Sequence, residues 1–274
     1  MIRRPPRSTL FPYSTLFRSN ENLPTFVVLP DHRGYASNGP KNWSSAFLPA
    51  QSQGTTIFPQ RENPIEDLFP KSDYVTADSD RDGLALLGEL NRGFREQRPG
   101  DSRLDARIRT YELAAKMQLS APEALDISGE PQHILKMYGL ENPGREYPTE
   151  INIPEEAEYF GRKCLIARRL VERGVRCVQL SHSISGYDIA WDTGHSDIAG
   201  GHLRLARACD QGIAALLTDL KQRGLWDETL VLWTGEFGRA PTSEGKKGRA
   251  HDHYGFPRWA AGASQDRRGG YQGA

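Results

Sequence analysis

Apolar residues recur at helical spacing through most of the second half of this chain. "EEAEYFGRKCLIARRLVERG" (Glu155–Gly174) and "GGHLRLARACDQGIAALLTDLKQRG" (Gly200–Gly224) each read as an amphipathic helix that stops at its glycine. Between and after them lie "VRCVQLSHS" and "ETLVLWTGE", two short β-branched runs that read as strands. Helix, strand, helix, strand with short Gly-marked turns predicts a parallel sheet flanked by helices, an α/β core. In the first half the pattern is sparser. "TFVVLP" (Thr25–Pro30) reads as a buried strand, and "DGLALLGELNRGFREQR" and "SRLDARIRTYELAAKMQ" have helical periodicity. Residues 31–79 and the stretch running to about Pro154 are rich in Gly, Pro, Ser and Asn, and read as loop. The chain thus divides into a loop-rich part, 20–154, and a regularly alternating part, 155–274.

Composition narrows the function. Lys and Arg number 35 and Asp and Glu number 35, so no basic footprint for nucleic acid stands out. No run approaches the 18 or so apolar residues of a membrane span. The three cysteines, Cys164, Cys177 and Cys209, lie in apolar-periodic segments without metal-type spacing, and read as buried thiols.

Residues 1–19, "MIRRPPRSTLFPYSTLFRS", repeat "STLF" and contain four arginines and no acid. Pro5, Pro6 and Pro12 interrupt every apolar run, which excludes a signal peptide and a transit helix. The segment resembles translated sequencing-adapter read-through at the start of a gene model, and the expectation is that it is disordered and packs nowhere. The Gly-rich C-terminal run "RRGGYQGA" closes on no helix or strand. Both ends therefore suggest a fragment truncated on either side.

"DSDRDGLALLGE" (Asp78–Glu89) satisfies the EF-hand loop pattern at every specified position. Leu84, Leu86, Leu87 and Leu90 are spaced for a helix, however, and no helix precedes Asp78. The expected structure is an acidic helix start, not a calcium loop.

Chemistry gathers behind the last two predicted strands. "GYDIAWDTGHSDIAGGH" carries Asp188, Asp192, His195, Asp197 and His202, and "TGEFGRAP" carries Glu236 and Arg239. "GRAHDHYGF" then adds Arg249, His251, Asp252 and His253. In parallel sheets ligands sit beyond the carboxyl ends of strands, where both clusters fall. Mixed carboxylate and imidazole donors suit a divalent metal, zinc or manganese before calcium. The candidate metal ligands are Asp192, His195, Glu236, His251 and His253, with Asp192, His195 and His251 converging on one ion. Arg239 and Arg249 are candidates for binding the substrate's anionic oxygens. His202 opens a helix and serves equally well as an N-terminal polar residue.

"NWSSAFLPAQSQGT", "FGRKCLIARRLVERGVRCVQL", "WDTGHSDI", "LLTDLKQRGLWDETLVLWTGEFGRAP" and "HDHYGFPRWAAG" together resemble the bacterial domain-of-unknown-function 1501 family over residues 20–274, with "GEFGR" the most specific block. That family is related to the alkaline phosphatase and sulfatase superfamily. The resemblance implies an α/β fold of that type and a bimetal site hydrolysing small-molecule or glycan phosphate or sulfate esters. Asp192, His195 and His251 would then share one metal, and Glu236 would neighbour the other. It also implies an exported protein. Phe237 stands where the superfamily has histidine, and Ala250 where the family's "GRDH" block has aspartate. The region of the nucleophile has no counterpart here, so the fragment is expected to be inactive. The alternative is a non-catalytic exported protein that uses the site to bind an anion or glycan.

Overall fold

In the computed structural model the described residues are 2–3, 22–32, 34–35, 39–46, 48, 52–59, 61, 64–65, 74–141, 153–182, 191, 198–235, 238–242, 249–255 and 258–263. The elements are β1 (Ile2–Arg3), β2 (Phe26–Leu29), β3 (Thr55–Thr56), α1 (Ala77–Glu96), α2 (Ser102–Leu125), α3 (Gln132–Met137) and α4 (Ile153–Glu172), then β4 (Cys177–Leu180), α5 (Ile198–Gln222), β5 (Thr229–Thr234), β6 (Gly238–Arg239), β7 (His251–Asp252) and β8 (Arg258–Gly262). Six strands form one sheet in the order β3-β2-β4-β1-β5-β8, and β6 pairs with β7 in a separate ribbon.

Helices and strands mix as the sequence pattern predicts, and β3, β2 and β4 run parallel. The sheet as a whole is mixed, which corrects the expectation of a parallel sheet throughout. β5 pairs antiparallel with β8 over five residues, Leu230 to Thr234 against Gly262 to Arg258. No described helix separates β5 from β8, so the chain returns antiparallel rather than crossing over. β4 and β5 are not neighbours. Ile2 and Arg3 lie between them, antiparallel to both. These two residues belong to the segment expected to pack nowhere; residues 4–19 lie outside the described residues.

Because β1 opposes both β4 and β5, those strands and β2 point the same way. Their carboxyl ends line one edge of the sheet. α4 and α5 cover the sheet and stop where the sequence predicts. Gly174 has φ 92° and Gly224 φ 68°. At each the next amide reaches back five residues, Val175 to the Leu170 carbonyl at 2.9 Å and Leu225 to the Leu220 carbonyl at 2.9 Å, closing the helix end. The two helices meet closely at Gly161 and Gly212. A Cβ on Gly212 would lie 3.2 Å from Gly161 Cα, and one on Gly161 would lie 2.0 Å from the Tyr138 carbonyl oxygen.

α1 settles the calcium pattern: all of Asp78–Glu89 is helical, so no EF-hand loop exists there. The cap is Thr76, whose hydroxyl accepts from the Ser79 amide while Ser79 reciprocates. The hydroxyls, not the predicted carboxylates, close this helix start. α3 falls in a stretch read as loop, because its six residues are too few to show a period. Cys164 and Cys209 are buried and Cys177 is partly buried, all as free thiols. Burial pushes the Cys164 thiol up to about 12.

α4 is buried along most of its length, and five of its charged residues with it, most deeply Lys163 at 0% and Arg168 at 1% exposure. The Arg168 guanidinium lies 2.8 Å from each of Glu130, Glu172 and Asp219. Arg169 also pairs with Glu130. Arg223 lies 2.8 Å from Asp219 and 2.9 Å from Glu172, and the Tyr138 hydroxyl donates to Asp219 at 3.1 Å. Burial works against ionised Glu130 and Glu172, but the arginine partners outweigh it, and both carboxyls are held below their ordinary range.

A carboxyl with a lowered folded-state pKa contributes stability above its unfolded pKa and loses it as pH falls through the folded value. Stability should therefore decline as pH drops below about 4.5, the ordinary glutamate value. Arg168→Leu should cost about 3–5 kcal/mol in urea unfolding at neutral pH, since three carboxylates lose a buried partner. A loss under about 1 kcal/mol would contradict this account of the network.

Candidate functional site at the carboxyl edge of the sheet

Each parallel-pointing strand delivers polar groups to the same edge. β2 ends in Pro30, Asp31 and His32. Asp31 is buried at 1%, and its Oδ1 lies 3.1 Å from His32 Nδ1. The His32 side chain is 3% exposed and stands edge-on to Tyr159 with centroids 4.9 Å apart, and neither ring nitrogen has a hydrogen-bond partner among the described residues. An imidazole oriented by a carboxylate at one nitrogen and buried at the other can accept a proton or coordinate an ion there.

β4 ends in Ser181 and His182. Lys163, reaching out of α4, donates to the Pro30 carbonyl at 3.1 Å and the Ser181 carbonyl at 2.5 Å. It thus fastens the ends of two strands with one ammonium. His182 Nε2 lies 3.5 Å from Glu156 Oε1, and its Nδ1 accepts from the Trp191 indole N–H at 3.1 Å. An indole nitrogen only donates, so His182 Nδ1 must carry a lone pair. Neutral His182 therefore has its proton on Nε2, facing Glu156.

Trp191 is held from several sides. Its carbonyl accepts from His202 Nε2, and its ring stands edge-on to Trp233 of β5 with centroids 5.5 Å apart. This gives His202 a role the sequence left open: near the start of α5 it anchors the backbone at Trp191. That residue immediately precedes "DTGHSD". Asp188, Asp192, His195, Asp197 and Glu236 lie outside the described residues, so the proposed convergence of Asp192, His195 and His251 is not placed.

Behind β5 the β6–β7 ribbon sets Arg239 directly opposite His251, and Gly238 opposite Asp252. The ribbon is closed by the Ala240 amide to the Ala250 carbonyl at 2.9 Å and by Gly238 to Gly255. Asp252 turns the chain by accepting the Tyr254 amide at 3.1 Å. His251, His253 and Arg249 are exposed, and His253 rests on Tyr254 with ring centroids 3.9 Å apart. The structure thus brings Arg239 and His251 together. His253 packs beyond the ribbon's paired residues. Among the described residues no group of three or more His, Cys, Asp or Glu side chains is placed to hold a metal.

Sequence reasoning missed Asp31, His32, Glu156, Lys163 and His182. The strand-end rule that selected the residues behind β4 and β5 applies equally to "LPDHRG" behind β2, and was the signal available there. Glu156 and Lys163 carried none, because charges on an amphipathic helix read as a solvated face.

Trp191→Phe should free His182 Nδ1. Its imidazole nitrogen resonances should shift toward a mixture of tautomers, with about 1 kcal/mol of stability lost with the hydrogen bond. Unchanged nitrogen shifts would show that the indole does not set the tautomer.

Among the described residues no helix is long and apolar enough to cross a membrane. No curated protein and no solved structure matches the chain. One family model, described as "Protein of unknown function (DUF1501)", matches residues 13–271, and so reaches into the segment set aside at the start of the chain. With all but its first twelve and last three residues inside that match, the chain belongs to the DUF1501 family.

Proposed function

We propose that the chain carries the metal- and anion-binding part of a hydrolase acting on phosphate or sulfate esters, with an alkaline phosphatase- and sulfatase-like fold. The observation that carries this reading is the ribbon register, which sets Arg239, five residues beyond β5, directly opposite His251. A guanidinium pairs with two oxygens of a tetrahedral anion, and a neighbouring imidazole supplies a proton donor or a metal ligand. A cavity at this edge would receive groups from three strands at once.

Asp192, His195, Glu236, His251 and His253 would hold a divalent ion, zinc or manganese. When bound, that ion would polarise the ester's oxygens. The remaining work falls to the chain's own side chains. Arg239 and Arg249 bind and orient the anion. His32, with Asp31 behind it, holds or accepts a proton at Nε2. Lys163 keeps the β2 and β4 ends in register so that these groups face one space. No nucleophile is assigned among these groups, and Phe237 favours a second reading in which the site only binds an anion or glycan.

The test combines elemental analysis of the purified chain with calorimetric titration of zinc, manganese and inorganic phosphate, and assays on aryl phosphate and aryl sulfate. Expected are stoichiometric metal, phosphate binding weakened at least tenfold by Arg239→Ala, and metal affinity lowered at least tenfold by His251→Ala. Phosphate binding without ester hydrolysis would select the binding reading. Neither metal nor phosphate binding would overturn both.

A further inference from the structure

α1 exposes an apolar stripe that the rest of the described chain leaves uncovered. Leu86 is 59% exposed, Leu90 59%, Phe94 54% and Leu87 37%. Leu86, Leu90 and Phe94 are four residues apart, so they form one line along the helix, with Leu87 beside it. Four large apolar side chains on one face exceed what a solvated helix ordinarily shows.

The charges beside this stripe are sorted by end. The first turns carry Asp78, Asp80 and Asp82, with Arg81 alone opposing them by pairing with Asp78 at 2.8 Å. The carboxylates of Asp80 and Asp82 make no ion pair among the described residues. The last turns carry Arg92 and Arg95 with Glu96, and Arg98 follows. The Arg98 guanidinium lies over the Phe94 ring, 4.3 Å from its centroid, which places a positive charge at the carboxyl end of the stripe itself. Asp82 stands four residues before Leu86, in the row that Leu86, Leu90 and Phe94 continue, so an acid opens the stripe and the Arg98 guanidinium closes it.

We propose that α1 is a self-association face, on which a second copy of this chain packs antiparallel. Turning one α1 end over end about Leu90 sets Leu86 against the partner's Phe94 and Leu90 against the partner's Leu90. The same turn brings Asp82 beside the partner's Arg98, and the reverse pair repeats it. The arrangement is isologous and closed, so it stops at a dimer. Opposed helix dipoles favour the same orientation. The parallel alternative would stack acidic end on acidic end and is disfavoured. α1 spans about 30 Å, so the contact falls at the small end of specific interfaces and a micromolar dissociation constant is expected.

Sedimentation velocity of the whole chain over a concentration series tests this. The chain should pass from monomer to dimer, and Leu90→Glu, which sets two like charges on the axis, should raise the dissociation constant at least tenfold with unchanged circular dichroism. Asp82→Arg should weaken the dimer and Arg98→Asp should weaken it likewise. The double variant Asp82→Arg/Arg98→Asp should restore it, because the pairs reform with reversed sign. Leu90→Cys should form a disulfide-linked dimer under mild oxidation that the parent chain, with Cys164 and Cys209 buried and Cys177 partly buried, does not form. A chain that stays monomeric to several hundred micromolar overturns the proposal. So does a dimer indifferent to Leu90→Glu, or a charge-reversed double variant that fails to recover.

Discussion

The whole described structure hangs on one buried guanidinium. Arg168 meets carboxylates from three places: Glu172 on its own helix, Asp219 on α5, and Glu130 in the segment joining α2 to α3. A cation at 1% exposure is costly to bury unless every partner is in reach. Few positions of α4 satisfy three carboxylates together, so the network acts as a locating pin more than as a source of net stability. Lys163, about 7.5 Å along the same helix, fixes the middle of α4 by binding two strand-end carbonyls. Two residues before Lys163 the packing tolerates almost no change, as the close approach at Gly161 and Gly212 shows.

From that constraint the site follows. α4 presents Glu156, Tyr159 and Lys163 at the carboxyl edge of the sheet because Arg168 and Glu172 are committed at the opposite edge. The same helix thus carries a structural network at one end and candidate chemistry at the other. A shift of its axis would disturb both at once.

Much of the fold was legible in the sequence because its signals were local. Apolar runs at period 3.6 marked α1, α2, α4 and α5, and glycines marked the stops at Gly174 and Gly224. At Asp78–Glu89 the helical spacing of the leucines and the Thr76–Ser79 cap outweighed the acidic pattern. What was not legible depended on partners distant in the chain. β8 is five residues whose role comes only from pairing with β5, and β1 is two residues set between strands more than fifty residues apart from each other. The candidate site divided the same way. Arg239 and His251 were chosen as chemical types behind a strand, and the ribbon makes them neighbours. His182 and His32 went unnoticed because their interest lies in burial and in which ring nitrogen is occupied. Neither property is written in residue order.

The tryptophans give this edge an optical character of its own. Of the five indoles, three are gathered there: Trp233 and Trp259 stack with planes 2° apart at 6.4 Å, and Trp191 stands against Trp233 at 5.5 Å. Transition dipoles at such separations couple, so this group should contribute a split band to the circular dichroism spectrum beneath the helix signal. The imidazoles of His182 and His202 lie 5.7 Å and 5.8 Å from the Trp191 ring, close enough for an imidazolium to quench its emission. The edge where the chemistry gathers therefore carries its own chromophore, and events there can be followed by light without an attached label.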